Sequence, residues 1–180
     1  MTKKDKKNKN SKWILTITIS AFIISFMFSL VSELVLPNAG LVLGIILVLL
    51  FILIGIVFDI IGVAVASADE KPFHSMAARK VRGAKTAVAF KKNASKVSSF
   101  CNDVIGDICG IISGSAGVTV AVSISNALNC SLLLVTLIIT ALIAAMTIGG
   151  KAAGKGLAMS KSTDILFMFA KVVSIFKSEK

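Results

Sequence analysis

Histidine, cysteine and acidic side chains are scarce in this sequence, which limits the chemistry it can carry. The 180 residues include one histidine, three cysteines and nine acidic residues. Cys101, Cys109 and Cys130 show neither a CxxC spacing nor a nearby histidine, so the pattern favours neither a zinc site nor a structural disulfide. His74 has no positioned partner in the sequence with which to form a catalytic triad. We therefore expect no enzymatic activity.

Charge is also scarce, at 16% of the residues, whereas 56% are hydrophobic and the mean hydropathy is +0.90. A soluble domain of this size needs a polar surface, so the composition predicts a membrane protein. A helix needs roughly 20 apolar residues to cross a bilayer. Helices are favoured over barrel strands because the apolar runs are long and uniformly apolar. Four runs qualify, at residues 13–36, 41–66, 104–128 and 132–148.

The first run has two interpretations, because six lysines precede it. One is a secretory signal, and the other is a retained transmembrane helix. The apolar part is longer than the 7 to 15 residues typical of a signal, and no convincing cleavage site precedes Pro37. The pattern favours a retained helix.

The basic residues predict the orientation in the membrane. Six lie in a basic tail at residues 1–12, eight between Lys71 and Lys96, and six from Lys151 onward, while none lies at 37–40 or 129–131. The positive-inside bias then places both termini on the cytoplasmic side of the cell membrane. Anionic headgroups explain the net charge of +11, and no aromatic residues interleave the basic ones as in nucleic-acid binders. We expect contact with the lipid bilayer and no nucleic acid.

Two further segments show helical amphipathicity. Residues 72–93 combine an apolar face with four cations expected to contact lipid, Arg79, Lys80, Arg82 and Lys85. A charged helix packed on protein is the alternative. Residues 163–177 form the second such segment, and Ser162-Thr163-Asp164 at its start offer N-capping side chains. The predicted fold is an all-α integral membrane protein with about four transmembrane helices and two cytoplasmic amphipathic interfacial helices.

Carboxylates inside the apolar runs are the residues of greatest functional interest, because charge within a bilayer is costly. Asp59 is expected about 10 Å from the cytoplasmic end of the second run. Asp107 lies near the start of the third run. With hydroxyls from Ser67 or Ser113, these carboxylates predict a site for a hard divalent cation such as Mg²⁺. 

The alternatives are that Asp59 is protonated or is paired with Lys71 or Lys151. Small residues four apart in the third run, Gly106, Gly110 and Gly114, predict a close helix-packing seam in the bundle or a dimer.

The segment GGKAAGKG at 149–156 matches the G-x-x-x-x-G-K part of a phosphate-binding loop but lacks the other features of such a loop. Gly156 stands where such a loop needs a hydroxyl, and an apolar run stands where it needs a strand. We expect no nucleotide there. The glycines instead predict a loosened exit from the fourth helix that turns into the final one.

The stretch FDIIGVAVASADEKPFHSMAARKVRGAK, from Phe58 to Lys85, resembles the DUF21, or CNNM/CorC-type, transmembrane domain of magnesium and cobalt transport proteins. A second match sets Gly150, Lys155 and Leu157-Ala158 against that family's G-E-x-x-P-K-x-L-A. The resemblance implies a DUF21-like membrane domain over 41–180, preceded by one extra helix. It also implies Mg²⁺ between the helices and a homodimer. Family members usually continue into CBS and CorC-type domains, which we expect this chain to lack.

The departures from that family fall where its ion chemistry lies. Its Ser-Glu-Thr falls on Ile61, Gly62 and Val63, and its Gly-Glu becomes Gly150-Lys151, which reverses a charge. A fixed positive charge at Lys151 is expected to oppose cation entry by several kcal/mol if the site is desolvated. Two functions therefore remain in competition. The chain moves or senses a divalent cation through Asp59 and Asp107, or it is a non-transporting scaffold or regulatory subunit with a decayed ion site.

Overall fold

The computed structural model describes residues 3–35 and 40–176, and every regular element among them is a helix. One of these helices is a seven-residue π-helix, Phe100–Gly106. Pro37-Asn38-Ala39-Gly40 predicts a short turn between the first two membrane-capable helices, and residues 36–39 lie outside the described part of the chain. The α-helices are α1 Lys3–Val35, α2 Gly40–Ser67, α3 Lys71–Ala78, α4 Ala84–Lys92, α5 Ala94–Ser99, α6 Asp107–Leu128, α7 Leu132–Ser160 and α8 Ser162–Phe176.

Four helical segments among the described residues are long and apolar enough to cross a membrane, which confirms the predicted all-helical fold and the predicted number of membrane-capable helices. They cover 12–35, 40–67, 94–128 and 132–160. Each forms because an uninterrupted apolar run in lipid must satisfy its backbone within itself. The third is longer than the predicted 104–128, because α5 and the π-helix extend it toward its N-terminal end. Helix α1 also begins well before Trp13, within the basic residues.

The segment 72–93 forms two helices, α3 and α4, where the sequence predicts one. Helix α3 ends because Lys80 takes a left-handed conformation with φ 56°. The N–H of Val81 then donates to the carbonyl of Met76 at 3.0 Å, and the N–H of Lys80 donates to that of Ala77 at 3.0 Å. These two bonds form a Schellman motif, which closes a helix. Helix α4 starts after Gly83, also left-handed with φ 88°.

The glycine-rich stretch 149–158 is helical, so the predicted loosened exit is wrong. Helix α7 continues to Ser160, and only Lys161 separates it from α8. The physical reason is packing: a Cβ at Gly150 would overlap Ile56, and one at Gly154 would lie 2.6 Å from Ile60 Cδ1. Missing side chains at these positions allow close helix approach, which offsets the low helix propensity of glycine.

The chain divides into two compact units, of which the first comprises residues up to Ile52 together with 107–144. Within it α1 contacts α6, and Phe28 packs edge-to-face on Phe51 with ring centroids 6.0 Å apart. A Cβ at Gly117 would overlap Ile143, so Gly117 is a point of close approach between α6 and α7. Among the described residues, no atom lies within 4 Å of a Cβ added at Gly110 or Gly114, so these residues form no close helix contact at those two positions of the predicted seam.

The second unit contains Leu53–Gly106 and Ala145–Lys180 and holds an apolar core made by α2, α3, α4 and α8. Phe73 and Leu166 are fully buried at its centre, and Phe90 stacks on Phe169 at 5.5 Å. The apolar face of α4 therefore packs on protein, as the alternative interpretation of 72–93 holds. Helix α8 lies where the sequence predicts the final helix, at 162–176 in place of 163–177. The fully buried core residues are Val65, Phe73, Ala87, Leu166 and Ala170.

Candidate functional site

Helices α2 and α7 bring opposite charges together inside the second unit. Lys151 Nζ lies 3.9 Å from Asp59 Oδ1, and the two side chains are 24% and 16% exposed. The helices come this close because Gly150 and Gly154 admit the side chains of Ile56 and Ile60 from α2. Of the alternatives that the sequence leaves open for Asp59, the ion pair with Lys151 is the one that the structure shows.

The ammonium group of Lys151 also lies near Gly106, the last residue of the π-helix. A Cβ added at Gly106 would lie 3.5 Å from Lys151 Nζ, 3.4 Å from the carbonyl oxygen of Cys101 and 3.8 Å from that of Gly55. Gly106 is buried, so a larger side chain there would occupy the space beside the ammonium. The absence of a side chain at Gly106 therefore helps to keep room for Lys151 next to Asp59.

One turn earlier in the π-helix, the side chain of Asn102 points at α2. A Cβ at Gly62 would overlap Asn102 Oδ1 and lie 3.1 Å from the carbonyl oxygen of Ser98. In the part of the chain that the structure describes, Asn102 Oδ1 is buried and accepts no hydrogen bond. Such an acceptor destabilises the fold by about 1–3 kcal/mol. Buried acceptors without a hydrogen bond and π-helices are both unusual in native proteins, and here the two occur together.

Alanine at Gly62 is expected to destabilise the protein by about 1–3 kcal/mol, because its methyl group must displace the Asn102 amide. The loss should shrink when Asn102→Ala is combined with it, since the obstructing amide is then gone. Thermal unfolding of the single and double variants in detergent measures the coupling. Gly110→Ala is the matched control, because nothing lies within 4 Å of its new methyl group. Additive effects of the two substitutions would contradict the contact.

The remaining predicted site residues divide between the units. Asp59 and Ser67 belong to the second unit, whereas Asp107 and Ser113 belong to the first. Ser113 is fully buried, and its hydroxyl donates to the carbonyl of Gly110 at 2.9 Å, so the hydroxyl proton is committed within α6. Asp107 is exposed at the first position of α6. Among the residues described, no three histidine, cysteine or acidic side chains gather as a metal-binding group.

Two polar residues of the second unit were not predicted from the sequence as site residues. Asn102 stands out only as an amide near the start of the third apolar run, which is a usable signal. Lys91 Nζ donates to the carbonyl oxygens of Val65 at 3.2 Å and Ala66 at 2.8 Å, at the C-terminal end of α2. Free carbonyls at a helix end attract cations. Nothing in the sequence distinguishes Lys91 from the other lysines of its block.

The basic residues expected to contact lipid lie in and around the break between α3 and α4. Lys80, Arg82 and Lys85 line a cavity of about 680 Å³ together with Ser174 and Ile175 from α8. Arg79 is exposed and is the C-cap residue of α3. Three of the four predicted cations therefore share one cavity, which gives their charge a defined location.

Comparison with protein families, with curated proteins and with solved structures finds no match for this chain. The resemblance to the DUF21 domain stays an expectation that nothing in these comparisons bears on.

Proposed function

We propose that this chain is a multi-pass protein of the cell membrane that acts as a non-transporting scaffold or regulatory subunit. The distribution of its basic residues supports a cytoplasmic location for both termini. The observation that carries the proposal is the ion pair between Asp59 and Lys151, 3.9 Å apart. In this pair the ammonium group of Lys151 occupies the space beside the Asp59 carboxylate. The predicted cation site depends on that carboxylate.

The electrostatics favour this proposal over transport. Two unit charges at this distance attract by about 4 kcal/mol at the effective dielectric constant typical of protein sites. A divalent cation that binds Asp59 has to displace the ammonium group of Lys151 and gives up that attraction, and any ammonium that stays nearby repels the cation. The family resemblance expects a glutamate where Lys151 stands, so the substitution reverses the sign of the field at that position.

The second candidate function is movement or sensing of a divalent cation such as Mg²⁺ through Asp59 and Asp107, in a homodimer. One observation favours it: Asp59 is only 16% exposed within a helix that qualifies as a membrane span. A carboxylate in such a place is commonly functional, because its charge is expensive to bury. Gly150 and Lys151 would then modulate the site.

Flux measurements separate the two functions. In proteoliposomes carrying a Mg²⁺-sensitive dye, the wild type is expected to show the same uptake as empty liposomes, and Asp59→Asn is expected to change nothing. The same result should hold for Co²⁺. Lys151→Gln tests whether the ammonium alone blocks the site, and Lys155→Gln is its control, an exposed lysine one turn along α7. Wild-type flux that exceeds the background and disappears in Asp59→Asn would overturn the proposal in favour of transport.

A further inference from the structure

A basic cavity lies between the α3–α4 break and α8. Lys80, Arg82 and Lys85 line it, and none of the described residues that line it is an aspartate or a glutamate. All three cationic residues are exposed. Arg and Lys side chains of this kind bind phosphate oxygens through charge-assisted hydrogen bonds.

The backbone that presents these cations is fixed and not a loose loop. Lys80 occupies the left-handed position of the Schellman motif that ends α3, a position where glycine is usual. Gly83 holds the other end of the break against α8, because a Cβ there would lie 2.9 Å from Lys171 Cα. A lysine at a position that suits glycine better points to a role for its side chain beyond folding.

An apolar groove lies next to this cavity along α8. It has a volume of about 440 Å³, and its walls are wholly apolar. Helix α8 contributes Ile165, Met168 and Val172 to the groove and Ile175 to the basic cavity. Their spacing of three, four and three residues places them on one helix face. From Met168 to Ile175 the rise is about 10 Å, which is within the length of one phospholipid. The α2 wall consists of Val57, Phe58, Ile60 and Ile61.

We propose that this face of α8 binds one anionic glycerophospholipid, with its phosphate in the basic cavity and an acyl chain in the apolar groove. Charge complementarity selects an anionic headgroup, since three cations line the cavity and no carboxylate stands among its described lining residues. The adjoining apolar walls select a lipid over a soluble phosphate, because a soluble anion leaves the groove uncovered. This site does not depend on the proposed scaffold function, and lipid affinity is measured separately from ion flux.

Native mass spectrometry of the full chain in detergent tests the proposal with three probes. Dioleoyl phosphatidylglycerol is expected to bind as a single molecule and more tightly than dioleoyl phosphatidylcholine, which has the same chains and no net charge. Glycerol 3-phosphate, which carries the phosphate without acyl chains, is expected to bind far more weakly than either. 

Two variants test the two halves of the site. Lys80→Gly should weaken phosphatidylglycerol binding about tenfold through loss of a charged hydrogen bond. Its unfolding temperature should not fall, because glycine suits the left-handed conformation. Val172→Trp should fill the groove and weaken binding of the dioleoyl lipid. Lys155→Gln removes an exposed lysine that does not line the cavity and should leave binding unchanged.

Each of four results would overturn the proposal. Lys80→Gly with wild-type affinity would show that the cavity does not hold the phosphate. Equal weakening by Lys155→Gln would show that net charge alone is responsible. If phosphatidylcholine binds as tightly as phosphatidylglycerol, the site does not distinguish a neutral headgroup from an anionic one. Glycerol 3-phosphate binding as tightly as the lipid would identify a soluble phosphate site in its place.

Discussion

Replacing Gly83 by alanine is expected to lower the free energy of unfolding by about 2–5 kcal/mol. Two effects add at this residue. Its φ of 88° is a conformation that costs an L-amino acid about 1–2 kcal/mol. The new methyl group would also lie 2.9 Å from Lys171 Cα, an atom of the backbone of α8 that cannot rotate away. Overpacking against such a neighbour typically adds about 1–3 kcal/mol.

Thermal or denaturant unfolding of the detergent-purified protein measures this loss. Gly149→Ala is the matched control, because Gly149 lies inside α7 and an added Cβ meets nothing within 4 Å. Alanine there should be neutral or stabilising by up to about 1 kcal/mol, since it raises helix propensity. The same Gly83→Ala variant should also displace the α3–α4 break from α8 and so weaken phosphatidylglycerol binding. Equal stability of the two variants would contradict the close approach of Gly83 to α8.

Removing the charge of Lys151 alone is expected to destabilise the second unit by about 1–3 kcal/mol. Lys151→Met keeps much of the side-chain volume but leaves the Asp59 carboxylate without its counter-ion in a segment able to span the membrane. Breaking a fully buried pair costs about 3–5 kcal/mol. The value here is smaller, because both side chains keep some exposure and the charged atoms are 3.9 Å apart.

A double-mutant cycle isolates the pair from its surroundings. Asp59→Leu alone should also destabilise, because it leaves the ammonium group of Lys151 against α2 and the π-helix. Asp59→Leu combined with Lys151→Met should recover most of the lost stability, since hydrophobic replacement of a whole ion pair is often neutral or favourable. Unfolding in detergent of the four proteins gives the coupling energy. If the two losses simply add, the charges do not interact in the folded protein.

The sequence was informative where local physics decides the structure. The apolar runs predicted all four membrane-capable helices, and Ser162-Thr163-Asp164 predicted the start of α8 to within one residue. For Asp59 the sequence left three alternatives, which were protonation, a pair with Lys71 and a pair with Lys151. The structure shows the pair with Lys151. Charge and hydropathy sufficed for these features because bilayer solvation acts on each segment independently.

Prediction failed where a distant segment of the chain sets the conformation. The break between α3 and α4 depends on Gly83 packing against α8, which no periodicity within 72–93 reveals. Glycines at 150 and 154 suggested a loosened helix, yet the isoleucines of α2 fill the space they leave. The orphaned oxygen of Asn102 likewise exists only because Gly62, forty residues earlier, has no side chain.

The lysine that bonds the end of α2 joins a membrane-capable helix to the proposed headgroup site. Lys91 Nζ donates to the carbonyls of Val65 and Ala66, which lie in the last turn of α2. Lys91 belongs to α4, and Lys85 of the same helix lines the basic cavity. Tilting is one response of a membrane helix to a change in bilayer thickness, so we expect any tilt of α2 to act on α4 through these two hydrogen bonds.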